Sequence, residues 1–169
     1  MLGECHAHLM MNAVDYQRAV ADNARAPRED LVRGFLEEYR RLGISFLRDG
    51  GDRLGVSLLA KELAPEYGID YRSPIFAIHK AGHYGRVVGF PFETMGEYRD
   101  LVARAKAQGA DFIKIMLSGI LDFDRYGVIT SAGLPVEEAR EMVRIAHGEG
   151  LAVMAHVNGR DCILTALEA

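Results

Sequence analysis

Apolar and polar positions along this chain follow two periods in turn. Short runs at residues 2–7, 44–48, 74–79, 112–117 and 151–156, all but the first dense in apolar residues, read as strands. Between them apolar residues recur every three or four positions. These stretches predict helices over 15–24, 29–41, 54–67, 94–108, 135–148 and 160–169. Pro27, Gly43, Gly68 and Gly109 supply stops, and Thr94 with Glu97 three residues on forms a capping box. Leu31, Phe35, Leu36 and Tyr39 make a core-facing stripe on the 29–41 helix. A turn, Asp49-Gly50-Gly51-Asp52, follows the second strand, and two stretches, 80–92 and 118–133, read as long loops.

Strand followed by helix in regular alternation leaves two architectures, an open doubly wound sheet and the first part of an eight-stranded barrel. The open sheet marks its ligand site with a Gly-rich first turn that opens a helix. Here the first turn carries histidines instead. His6, His8, His79, Lys114 and His156 all fall at or near the carboxyl ends of strands, where barrel enzymes hold their active sites. The expected fold is therefore α/β of the (β/α)8 TIM-barrel type. Residues 1–169 would form a single partial barrel domain of about five βα units, since a complete barrel takes about 200 residues or more.

Composition narrows the function. A formal charge of -4 leaves no basic footprint for nucleic acid. No apolar run approaches the roughly 20 residues of a membrane span. Met1-Leu2 runs directly into Glu4 and the histidines, unlike a secretory leader. Two cysteines, Cys5 and Cys162, are too few for a disulfide framework. The expectation is a cytoplasmic globular protein that acts on a small molecule.

Strand alternation places the chemistry. On the first strand His6 and His8 share a face with Leu2 and Glu4, while Gly3, Cys5 and Ala7 point the other way. Two imidazoles side by side are a ready pair of nitrogen donors for a zinc-like ion. On the fourth strand Ile113, Ile115 and Leu117 face the outer helices, and Lys114 points inward with Phe112 and Met116. A lysine in so apolar a strand is costly unless its charge is removed or paired. It could pair with Glu4 or run its alkyl stem to the rim. On the fifth strand the same alternation turns Ala152, Met154 and His156 inward.

With the His-x-His of the first strand, Lys114 in Phe-Ile-Lys-Ile-Met, and His156 in Val-Met-Ala-His-Val-Asn-Gly, the chain resembles the amidohydrolase superfamily. Within it, the chain is similar to the imidazolonepropionase and Xaa-Pro dipeptidase branch. The resemblance implies that His6 and His8 bind one divalent metal, zinc or another, of a binuclear pair. Lys114, carboxylated on its amine, would bridge the two metals and His156 would bind the second, which makes Lys114 and His156 the catalytic candidates. It further implies hydrolysis of an amide or cyclic amide C–N bond by a metal-activated hydroxide. Glu4 stands where family members often carry Asp. The strand-six histidine and the strand-eight aspartate of the family have no counterpart in these residues, so the chain alone is expected to be an incomplete enzyme.

The two loops would wall the substrate pocket. His79, His83, Tyr84, Arg86, Arg125 and Tyr126 are the candidate substrate contacts, with Arg86 or Arg125 suited to a carboxylate. Cys5 reads as a small buried hydrophobe, Cys162 as structural and His147 as a cation near a helix C-terminus. Asp49 and Asp52 are possible outer acceptors, although turn formation is their commoner use. Two other readings predict different behaviour. A non-catalytic half-barrel would persist by pairing exposed sheet edges with a second copy or another chain. A barrel enzyme using Lys114 as a Schiff-base amine would bind no metal.

Overall fold

The computed structural model describes residues 2–169. It contains seven strands, parallel within their sheets, and six helices. They are β1 (Leu2–Ala7), α1 (Tyr16–Asp22), α2 (Glu29–Arg41), β2 (Ile44–Asp49), α3 (Val56–Leu63), β3 (Asp70–Arg72), β4 (Ala77–Lys80), β5 (Gly89–Phe92), α4 (Met95–Ala107), β6 (Phe112–Met116), α5 (Val136–Gly148), β7 (Ala152–His156) and α6 (Arg160–Glu168). A 3-10 turn, Ala64–Tyr67, closes α3, because Pro65 cannot continue the α-helical ladder. The strands form two sheets, in the orders β1-β2-β3 and β5-β4-β6-β7.

The strand expected over 74–79 begins only at Ala77, and a short strand that the sequence reading did not mark, β3, precedes it. β3 pairs with β2, β4 pairs with β6, and the chain turns at residues 73–76 to change partner. Ile75 sits in that turn at φ 67, an unusual conformation for a β-branched residue. Its buried side chain and the hydrogen bond from Asp52 N to its carbonyl, 3.0 Å, hold it there. The stretch 80–92, expected as loop, contains β5. Its glycines and Pro91 read as loop punctuation, yet Gly89 is what the strand requires. A Cβ there would lie 2.1 Å from the Ala77 carbonyl oxygen. The stretch 118–133 is a narrow finger with an antiparallel bridge between Leu121 and Ile129.

Each sheet buries one face under helices. Ile78, Ile113, Ile115 and Leu117 pack against Tyr98, Val102, Met142 and Ala146 of α4 and α5. Leu47 and Ala7 pack against Val32 and Leu36 of α2 and Val56 and Ala60 of α3. The Thr94 capping box opens α4 as expected. No helix among the described residues is long and apolar enough to cross a membrane.

β1 departs from simple alternation. Its register sets Glu4 opposite Leu47 and Ala7 opposite Asp49, so three residues advance on β1 against two on β2. That bulge puts Glu4 on the face of Leu47 and Ala7, with Tyr39 of α2. Glu4 therefore does not lie below the histidines and forms no ion pair with Lys114. Instead its Oε1 accepts the amide of His6 at 2.8 Å. Cys5 is exposed rather than buried, because the same bulge lifts it off the helix-covered face.

Candidate active site

β6 is buried along its whole length, and Lys114 at its centre is 1% exposed. Among the described residues no carboxylate lies within ion-pair distance of it. Its Nζ lies 3.4 Å from His6 Nε2. Burial above all, with the nearby Arg48 charge, pulls the Lys114 amine down to about 8, and Asp49 partly opposes this. Burial, then the charges of Lys114, His8, His156 and Arg48, pull His6 down to about 4. His156 also lies below its ordinary value, through burial first and then through Lys114 and His8, against the pull of the Gly119 carbonyl. Four side chains, from β1 and the residue just past it, β6 and β7, thus sit within one another's fields.

Two of the three rings, His8 and His156, are held by backbone carbonyls. His8 Nδ1 lies 3.0 Å from the Gly51 carbonyl oxygen, which can only accept, so Nδ1 carries the proton and Nε2 keeps its lone pair. The His6 and His8 ring centroids are 5.4 Å apart. On the other side, His156 Nε2 lies 3.2 Å from the Gly119 carbonyl oxygen and 3.1 Å from Asn158 Nδ2, which leaves its Nδ1 free. Tyr84 packs on this ring, centroids 5.0 Å apart.

Three imidazoles with lone pairs and one lysine amine of weakened basicity suit a divalent cation by chemistry. They do not amount to a finished cage. Among the described residues no group of three or more His, Cys, Asp or Glu is gathered closely enough to hold a metal ion.

The candidate substrate contacts divide. His79 is 3% exposed on β4, with Nδ1 donating to the Lys80 carbonyl at 2.9 Å and Nε2 without a partner. Burial holds it below its ordinary value, as do the charges of His83 and Arg53, against the Lys80 carbonyl. Tyr84 reaches His156, and His83 is half-buried nearby in sequence. Arg86 lies outside this group, in a groove of about 400 Å³ with Arg53, Tyr16 and Leu54. Arg125 pairs with Asp122 at 2.7 Å, and Tyr126 stands fully in solvent, so the finger carries both away from the histidines.

Two residues escaped the sequence reading. Asn158 lies two past His156, where strand alternation would repeat a face, and that spacing was a usable signal. Its amide N–H donates to Ser118 Oγ at 2.7 Å. Arg48, whose Nε donates to the Cys5 carbonyl at 2.8 Å, had no such signal, because the β1 bulge decides what lies beside it.

The class these features define is a parallel α/β protein with its polar groups at the carboxyl ends of its strands. Solved structures place it more closely. An amidohydrolase matches 98% of this chain and 45% of its own at TM-score 0.71 and 22% identity. A prolidase solved with N-methylphosphonate-L-proline matches 98% of this chain and 44% of its own at TM-score 0.72 and 22% identity. A Xaa-Pro dipeptidase with methionine bound in its active site matches 99% and 45% at TM-score 0.68 and 18% identity. The fold is thus one shared with amidohydrolases and prolidases, and the chain spans less than half the length of these structures. No protein-family model and no curated protein matches it.

Proposed function

We propose that this chain is the amino-terminal part of an amidohydrolase-type barrel that hydrolyses an amide or cyclic amide C–N bond of a small molecule. In this reading His6, His8, Lys114 and His156 hold a divalent metal pair, zinc foremost. The carrying observation is the Lys114 amine, buried without a counter-ion, 3.4 Å from His6 Nε2. The shared fold with prolidases and Xaa-Pro dipeptidases supports the reaction class.

A metal bound there supplies Lewis acidity at the scissile carbonyl and lowers the pKa of water. The protein's own part is visible. His6 and His156, held below their ordinary values, stay neutral at pH 7 and keep lone pairs free. With Lys114 near 8, about one amine in ten is neutral at pH 7, the form that bonds carbon dioxide. The nitrogen lone pair forms the N–C bond, a proton leaves to solvent, and the side chain becomes an anionic carbamate. That change removes the unpaired buried cation. Tyr84, His79 and His83 line the substrate side.

The neutral amine equally suits a Schiff base, which borohydride trapping of a carbonyl substrate would reveal. Association with a second copy is part of the proposal as well. β7 pairs only with β6 among the described residues, and α6 exposes Ile163, Leu164 and Leu167.

Metal analysis after chelator-free purification tests the reading. Wild-type protein should carry a stoichiometric divalent metal, and carbon-13 bicarbonate should yield a carbamate signal that Lys114→Ala lacks. Wild-type protein with neither metal nor carbamate would sink it.

A further inference from the structure

Behind His8 lies a buried polar cluster that the chemistry above does not use. Asp49 is fully buried at the end of β2, and both of its oxygens accept backbone amides. Oδ1 takes Leu9 N at 2.9 Å and Oδ2 takes Gly51 N at 2.8 Å. The first amide belongs to the peptide that follows His8. The second belongs to the residue whose carbonyl receives the His8 ring. We propose that Asp49 is a positioning residue for His8, gripping both peptides so that the ring proton stays on Nδ1 and Nε2 is presented to the site.

The rest of the cluster holds the Asp49 carboxyl in place. Ser57 Oγ lies 2.5 Å from Asp49 Oδ2 and 2.7 Å from Asp52 Oδ2. Burial first, with Asp49 beside it, raises Asp52 above its ordinary value, against the hydrogen bonds it accepts from the Ser57 hydroxyl and from the Ser57 and Leu54 amides. The Ser57 hydroxyl thus bridges the two carboxyls, and Asp52 is further anchored by accepting the Ser57 amide at 2.6 Å. The Tyr71 hydroxyl, buried close to the pair, has no partner in hydrogen-bond geometry.

Two glycines make the grip possible. Gly51 sits at φ +84, and a Cβ there would lie 2.8 Å from Phe76 Cα. A Cβ on Gly50 would lie 2.3 Å from the His8 ring. An asparagine in place of Asp49 has one acceptor oxygen for two amides, and its NH2 would face one of them. The Gly51 peptide would be released, and its carbonyl lost to His8.

Only the consequence for metal binding rests on the proposed function; the ring tautomer does not. Nitrogen-15 NMR of metal-free protein, with His8 assigned by loss in His8→Gln, reads it directly. Wild type should show the proton on Nδ1. Asp49→Asn should move the tautomer ratio toward Nε2–H by roughly five- to tenfold, what one lost ring hydrogen bond is worth. Ser57→Ala keeps both amide contacts and should leave the ratio unchanged while lowering stability. A wild-type proton on Nε2 overturns the proposal, as does an equal shift in both variants. If Asp49→Asn does not fold, the wild-type spectrum decides, since couplings from the Leu9 and Gly51 amides across to the Asp49 carboxyl carbon uphold the brace and their absence overturns it. Zinc that leaves the His8 Nε2 signal unmoved would instead refute the ligand role, whichever tautomer is found.

Discussion

Lys114 Nζ and His6 Nε2 stand 3.4 Å apart although 108 positions separate them in the chain. Each is a base whose protonated form the site disfavours, and neither has a carboxylate partner. A pair of this kind is costly for folding and useful for binding a cation or forming a carbamate.

That cost predicts a pH signature. In chelator-treated, carbon dioxide-free buffer the folded Lys114 titrates near 8 and the unfolded one near 10.4. Between those values the unfolded chain binds more protons, so this group's contribution to stability rises with pH across that window. Below it the penalty is at most about 3 kcal/mol. Lys114→Met should therefore be the more stable protein near neutral pH, with the gap closing toward pH 10. Urea midpoints of both proteins across that range check it, and a gap independent of pH would contradict it.

Gly50→Ala separates site geometry from stability. The added methyl would meet the His8 ring at 2.3 Å, and a side-chain ring can move aside where backbone cannot. Stability should change by about 1 kcal/mol or less. Zinc affinity should fall tenfold or more, the usual effect of displacing a ligand's support. Calorimetric titration beside thermal melts measures both, and unaltered zinc binding would count against His8 as a ligand.

Gly89→Ala tests the strand hidden in the 80–92 stretch. Its Cβ would press on the Ala77 carbonyl, part of the backbone of β4, which cannot yield as a side chain does. A loss of about 2 kcal/mol or more is expected. Hydrogen exchange should accelerate first in residues 77–92. Wild-type behaviour there would mean that β5 does not pair with β4.

Much of this arrangement is written in local pattern. The alternation of β6, with Ile113, Ile115 and Leu117 to the helices and Lys114 to the other side, needs only the two-residue period of a strand. The same rule carried His156, and the Thr94 capping box needed only its spacing. Residues 80–92 resisted because Gly and Pro signal a turn unless a neighbouring backbone presses on them. At Gly89 that neighbour is Ala77, twelve positions earlier. Glu4 and Cys5 went astray for a related reason. A bulge is a mismatch between two strands, so β1 read by itself contains no trace of it. Asp49 and Asp52 show the division most clearly. Their local spacing says turn, and turn amides are indeed what they accept. That Asp49 also holds the amide of Leu9, forty positions away, follows only from laying β2 beside β1. Periodicity is a property of one segment and can be read from it. Who stands opposite whom is a property of two, and the tertiary structure alone decides it.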